Sequence, residues 1–156
     1  MLNYHIAWAT ADEIPHLAAH IRKADRQEVW LSHKQAPLEA LEFSLKNSER
    51  AWTAFVDEAP LMMWGVSRVG SLLSMKGVPW MLAADGFNDK KVQREFLKQS
   101  RFAVDLLQRG FRRLENCVHA DNKLSVRWLK WCGFTVNETE PVKVDGADFY
   151  LFWREA

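Results

Sequence analysis

NCVHADNKLSVRWLKWCGF, residues 116–134, joins a strand to a short helix with almost nothing between them. In FRRLENCVHA (111–120), Leu114, Asn116 and Val118 alternate with Glu115 and Cys117, the two-residue period of a strand. Asp121 and Asn122 follow, and both residue types cap helices by accepting from the first free N–H groups. KLSVRWLKWC then runs to Gly133, a residue suited to ending a helix. A strand that feeds straight into a helix points to a sheet with helices laid across it.

Upstream, DKKVQREFLKQSRFAVDLLQRG (89–110) carries Val92, Phe96, Ala103, Leu106 and Leu107 on one stripe and predicts the longest helix, ending at Gly110. Before it, VPWMLAAD (78–85) is short and apolar, as a buried strand is, and its proline suits a strand edge. AWTAFVDEAPLMMWGVSRV (51–69) predicts a hairpin that turns at Asp57–Pro60. ATADEIPHLAAHIRKADRQEVW (9–30) opens with Thr10 and Glu13 in capping-box spacing, then sets Ile14, Leu17, Ala18 and Ile21 at helical intervals, so one helix is expected there. A second, over APLEALEFSLKNS (36–48), places Pro37 in its first turn and should pack beside the first. Downstream, FTVNETEPVKVDGADFYLFWREA (134–156) predicts two strands around Asp145-Gly146, the second apolar on both faces and so central. NYHIAWA (3–9) leaves room for one further strand. The order predicts an α/β (α+β) fold: a mixed sheet covered by helices.

Composition narrows the function. The 156 residues suit one domain, 1–156, uninterrupted by repeat, linker or low-complexity segment. With 48% hydrophobic and 26% charged residues a core can form, and the net charge of +1 disfavours nucleic acid and anionic membranes as partners. Apolar runs fall short of the roughly 18 residues of a membrane span, and the first residues lack the pattern of a signal peptide, so the chain is expected to stay in the cytoplasm. Cys117 and Cys132 match neither a zinc nor a redox spacing and read as reduced core thiols. Eight tryptophans suit either a large-side-chain core or a stacking surface.

Asn122 followed eleven residues later by Gly133-Phe134 resembles the closing strand–helix motif of the GNAT N-acetyltransferases, and the element order resembles that fold over nearly the whole chain. The resemblance implies a mainly antiparallel central sheet with helices on both faces. IRKADRQEVW, GVPWMLAAD, FLKQSR, NCVHADNKLSVRWLKWCGF and the ending DFYLFW are similar, more narrowly, to GNAT-like proteins of tailed phages and prophages, a group that includes a small internal virion protein of short-tailed phages. That likeness implies an origin in phage or prophage, a bacterial host cell, and either enzymatic work or an assembly role with phage structural proteins in the virion.

The GNAT resemblance implies acetyl-CoA or CoA as cofactor and an amine as acceptor. Such an enzyme needs a cradle for pyrophosphate, a base for the amine and a proton source for the thiolate. The cradle is expected at ADGFNDKKVQREF (84–96), which has one glycine, Gly86, and places Asp85 and Asp89 where anions should go. Lys90, Lys91 and Arg94 could bind the phosphates by charge, or form a solvated face. The resemblance implies a tyrosine donor four residues before Gly133, where this chain has Leu129; Tyr150 is the only tyrosine in the downstream half. Asn122 suits the CoA arm or its own helix cap. His119, ending a strand, is a candidate base. Arg22, Asp25 and Glu28 recur at three-residue spacing and share a helix face, where Glu28 could deprotonate the acceptor and Arg22 and Asp25 bind it, or all three form a surface ion network. Trp64, Trp80 and Trp128 could wall a pocket or fill the core.

Overall fold

The computed structural model describes residues 2–87 and 89–156. Its strands are β1 (Tyr4–Trp8), β2 (Arg50–Val56), β3 (Ala59–Arg68), β4 (Lys76–Ala83), β5 (Arg113–His119), β6 (Thr135–Val144) and β7 (Ala147–Glu155). They form one sheet in the order β1-β2-β3-β4-β5-β7-β6, with every neighbouring pair antiparallel except β4 and β5. The described residues also form a 3-10 turn at Ala11–Glu13 and the α-helices α1 (Ile14–Ala19), α2 (Lys23–His33), α3 (Pro37–Asn47), α4 (Lys90–Gln108) and α5 (Lys123–Trp131). None is long and apolar enough to cross a membrane.

The two faces of the sheet carry different helices. On one, Trp52, Trp64, Val66 and Leu114 pack with Phe96, Val104 and Leu107 of α4 and with Val126 and Leu129 of α5. On the other, Met63 and Leu82 pack with Ile14, Leu17, Ile21 and Leu41 of the segment that contains α1, α2 and α3. β7 lies between β5 and β6, as its two-sided apolar pattern implies. Asp57 and Glu58, both at positive φ, form the two-residue turn of the first hairpin, so Ala59 and Pro60 belong to β3 rather than to the turn. Asp145 and Gly146 turn β6 into β7 in the same way.

The single helix expected over residues 9–30 is divided. The Thr10–Glu13 capping box is present, but the chain leaves helical geometry at His20 and resumes at Lys23. Tertiary pairing overrides local propensity here: Ile21 bridges Ala84, the Arg22 N–H donates to the Ala83 carbonyl at 2.9 Å, and Asp85 N–H donates to the His20 carbonyl at 2.8 Å. The break seats the first turn of α2 against the end of β4.

The parallel pair is joined only at Lys76–Arg113 and Gly77–Leu114, after which β4 and β5 part. Pro79 has no N–H to offer a neighbouring strand, and its carbonyl accepts from Asn116 Nδ2 at 2.7 Å. Asn116 Oδ1 in turn accepts from the Cys117 N–H at 2.8 Å. A side-chain amide thus replaces the ladder where the strands diverge.

Gly65 of β3 is where this central region tolerates least. A Cβ there would lie 2.7 Å from the Arg50 carbonyl oxygen and 2.8 Å from Trp80 Nε1. Gly65→Ala is expected to destabilise the fold by about 1–3 kcal/mol, read as a lower urea midpoint at unchanged slope.

Candidate functional site

Between the parted strands lies a cavity of about 410 Å³ whose walls come from both faces of the sheet. Glu28, Ser32 and Phe43 line it on the α2–α3 side, Leu107, Trp128 and Leu129 on the α4–α5 side. Trp64, Trp80 and Trp128 all line it, so these tryptophans are at once wall and core. Elsewhere Trp52 is buried, whereas Trp8, Trp30 and Trp131 are at least half exposed, so core packing accounts for only part of the tryptophan content.

The break before α2 gathers Arg22, Asp25 and Glu28 between the ends of β4 and β5. Asp25, 3% exposed, accepts from Arg22 Nη1 at 3.1 Å and from the Ala83 N–H at 2.9 Å. Glu28 Oε1 accepts from the His119 N–H at 2.9 Å. Asn122 joins the two carboxylates: its Nδ2 lies 3.5 Å from Asp25 Oδ1 and 3.4 Å from Glu28 Oε1, and its Oδ1 lies 3.5 Å from Arg22 Nη2. Of the two roles expected for Asn122, the side-chain cap of its own helix is not the one observed. Its side chain makes no capping bond, because the Oδ1 that would accept one faces Arg22 Nη2 while its Nδ2 faces the carboxylates. A surface ion network is also excluded for Asp25, which is buried.

Burial dominates the protonation of this cluster. It raises the Asp25 carboxyl above its ordinary value, opposed by the Arg22 charge and the Ala83 N–H. Glu28 is pushed up to about 7, first by burial and then by the neighbouring Asp25 charge, against the stabilising His119 N–H. Arg22 pairs with Asp25, so Glu28 holds a carboxyl that exchanges its proton near neutrality and lines the cavity.

His119 shares only its backbone with this site. Its ring is 4% exposed, packs on Phe149 with centroids 5.2 Å apart, and does not line the cavity. His119 pairs across the strands with Phe149, and it is the Phe149 ring, not the imidazole, that lines the cavity. Tyr150 packs on the α4–α5 core, also away from the cavity wall.

At the start of α4, the Asp89 carboxylate accepts from the Lys91 N–H at 2.8 Å and caps the helix itself. Lys90, Lys91 and Arg94 are exposed and, among the described residues, pair with no carboxylate. Leu129 is 6% exposed and lines the cavity, presenting no proton there. Both cysteines are free; Cys117 lines the cavity, and burial pushes the Cys132 thiol up to about 12.

Sequence reasoning missed two further features, the Asn116 bridge between the parted strands and the Ala83 N–H that holds Asp25, and gave no sign that the Trp64 indole N–H would lack a partner. Among the described residues the buried side-chain atoms without a hydrogen-bond partner are Tyr4 Oη, Arg50 Nε and Trp64 Nε1, and of these three residues only Trp64 lines the cavity. An unmet buried donor costs about 1–3 kcal/mol.

No protein-family model matches the chain, and no curated protein matches it in sequence. Solved structures do. The GCN5-related N-acetyltransferase of Kribbella flavida superposes with a TM-score of 0.69 at 15% identity, covering 98% of each chain. A GNAT-family acetyltransferase of Streptococcus pneumoniae gives 0.61 at 15%, covering 99% of this chain and 100% of its own. Spermidine N-acetyltransferase of Vibrio cholerae, solved with CoA and spermine, gives 0.60 at 11%, covering 97% of this chain and 95% of its own. The chain has the GNAT fold.

The raised Glu28 value has a consequence for stability. At low pH Glu28 is protonated folded or unfolded; as pH rises from 4.5 towards 7 the unfolded chain ionises first, and above 7 the folded state bears the full cost of a buried charge. Gln at this position keeps the oxygen that accepts from His119. Glu28→Gln is expected to leave the urea midpoint nearly unchanged at pH 4 and to raise stability by a few kcal/mol at pH 8. A shift independent of pH would contradict this.

Proposed function

We propose that the chain is an acyl-CoA-dependent N-acyltransferase that moves an acetyl group from acetyl-CoA to an amine. The observation that carries this reading is the cavity through the sheet, opened where β4 and β5 part and bordered by Glu28, whose carboxyl sits near neutrality. The GNAT fold supports it, and so does CoA bound in the Vibrio cholerae structure of the same fold. The narrower assignment to a phage or prophage enzyme working in a bacterial host rests on the similar segments of the sequence.

The residues fit the two ends of the cofactor unequally. The parted strands suit a flexible arm, whereas Asp89 already occupies an amide at the start of α4. Lys90, Lys91 and Arg94 would then hold the phosphates by charge, and Asn122 fixes the carboxylates that face the acceptor rather than the arm. Acetyl-CoA supplies the activated acyl group. Glu28 takes the proton the attacking amine must lose as the C–N bond forms and the C–S bond breaks. A carboxyl near pH 7 suits that exchange better than an ordinary one. Leu129 gives the departing thiolate no proton, so water supplies it. Arg22 and Asp25 neutralise one another, so Glu28 is the carboxylate left to favour a cationic acceptor, and among the described residues neither lysine nor arginine lines the cavity to hold an anionic one.

Calorimetric titration with acetyl-CoA and CoA tests the reading at its root. Binding is expected, weakened as salt rises and weakened again in a Lys90→Ala/Lys91→Ala/Arg94→Ala variant. No heat and no thermal stabilisation at millimolar ligand would end the proposal in favour of an assembly module of a phage particle.

Where binding holds, Glu28→Gln is expected to lower turnover of a cationic amine by roughly 10²–10⁴-fold at unchanged acetyl-CoA affinity. His119→Gln should fall well short of that loss, since its ring does not line the cavity.

A further inference from the structure

We propose that the acceptor is a primary monoamine with an apolar body, its nitrogen reaching Glu28 and its body lying against Phe43 and Trp80. The inference rests on the acyl-CoA reading above and narrows its amine to one chemical class, with Phe43 as a specificity-determining residue.

Two helix faces carry the argument. Asp25, Glu28, Val29 and Ser32 of α2 line the cavity, and so do Ala40, Phe43, Ser44 and Asn47 of α3. Each set recurs at the three- and four-residue intervals of a single helix face, so each helix turns one continuous stripe to the cavity. Phe43 lies on such a stripe and is nonetheless 54% exposed, so its ring is not committed to the core. Trp80, half-buried, adds a second aromatic surface to the wall. Its Nε1 donates to Ser48 Oγ at 2.6 Å, which fixes the indole and leaves it no polar group for a ligand.

Among the described residues the carboxylates on the cavity wall are Asp25 and Glu28, and Asp25 is paired with Arg22 at 3.1 Å. Glu28 Oε1 is held by the His119 N–H and the Asn122 amide. Its Oε2 accepts no hydrogen bond among the described residues and is not one of the buried atoms without a partner, so it is open to solvent. One free carboxylate oxygen serves one ammonium. A second cationic nitrogen drawn in beside Phe43 and Trp80 would shed its water with no counter-charge; a carboxylate would do the same, meeting neither lysine nor arginine. An apolar body instead gains by burying its surface there. An alkylammonium and acetyl-CoA then give an N-alkylacetamide, CoA as its thiol and one proton, the C–N bond forming as the C–S bond breaks and the proton passing to Glu28.

Steady-state turnover at saturating acetyl-CoA, read as release of CoA thiol, would compare phenethylamine with phenylalanine, which adds a carboxylate, and butylamine with 1,4-diaminobutane, which adds an ammonium. In each pair kcat/KM is expected to favour the monoamine by roughly tenfold or more. Phe43→Ala is expected to lower kcat/KM for phenethylamine about tenfold, chiefly through KM, and that for ethylamine much less; Phe43→Leu should recover most of the loss. Phenylalanine or 1,4-diaminobutane used as well as its partner overturns the inference, as does a phenethylamine-to-ethylamine ratio that Phe43→Ala leaves where it was. Binding of acetyl-CoA without turnover of either monoamine overturns it too, and in all these cases the cofactor reading stands. No binding of acetyl-CoA overturns both. The wild-type comparison carries the test even if Phe43→Ala fails to fold.

Discussion

One parallel strand pair that is not allowed to close organises this protein. Among antiparallel neighbours, β4 and β5 are held together at Gly77 and Leu114 and then separated, with Pro79 unable to donate and Asn116 reaching across the gap with its Nδ2 while its Oδ1 holds the Cys117 N–H of its own strand. In the interior of the seven-stranded sheet, this is where neighbouring strands stop pairing and a side chain takes over. The cavity follows from it, as does access to that cavity from both helical layers. Cys117 and Val118, which a closed ladder would have sealed, become wall.

The carboxylates at the rim are costly, and the structure offsets that cost with a cation at Asp25 and with a backbone N–H and an amide at Glu28. Asp25 has Arg22, but also the Ala83 N–H; Glu28 has the His119 N–H and the Asn122 amide and no cation of its own. The proton affinity of Glu28 is therefore raised by burial, lowered by the fixed His119 N–H and raised again by Asp25. A lysine or arginine beside Glu28 would have held it ionised and removed its capacity to exchange a proton at neutral pH.

The sequence made the elements legible wherever local chemistry decides them. Thr10 and Glu13 form their capping box, Asp145-Gly146 turns, and the stripe from Val92 to Leu107 is a helix. It also put Arg22, Asp25 and Glu28 in one cluster, since their spacing lies within a single stretch of helix. What it hid depends on distant partners. Nothing near His20 breaks a helix; the break exists because Ala83, Ala84 and Asp85 offer better bonds. Asn122 looks like a cap until two carboxylates are brought opposite it. Trp64 differs from Trp80 and Trp128 only in lacking a serine within reach, which no spacing along the chain encodes. His119 was a candidate for its ring and serves through its amide.

The seam between residues 20–22 and 83–85 also sets when the site comes into being. α1 and α2 are made early, yet Asp25 waits for a donor 58 residues later, Glu28 for one 91 residues later, and Arg22 for an asparagine 100 residues later. During synthesis, and early in refolding, these side chains stand in water as an ordinary ion pair and an ordinary acid. Such long loops close slowly. The proton-exchanging character of Glu28 is therefore a property of the finished chain: it does not exist until β5 has docked and the turn before α5 has formed.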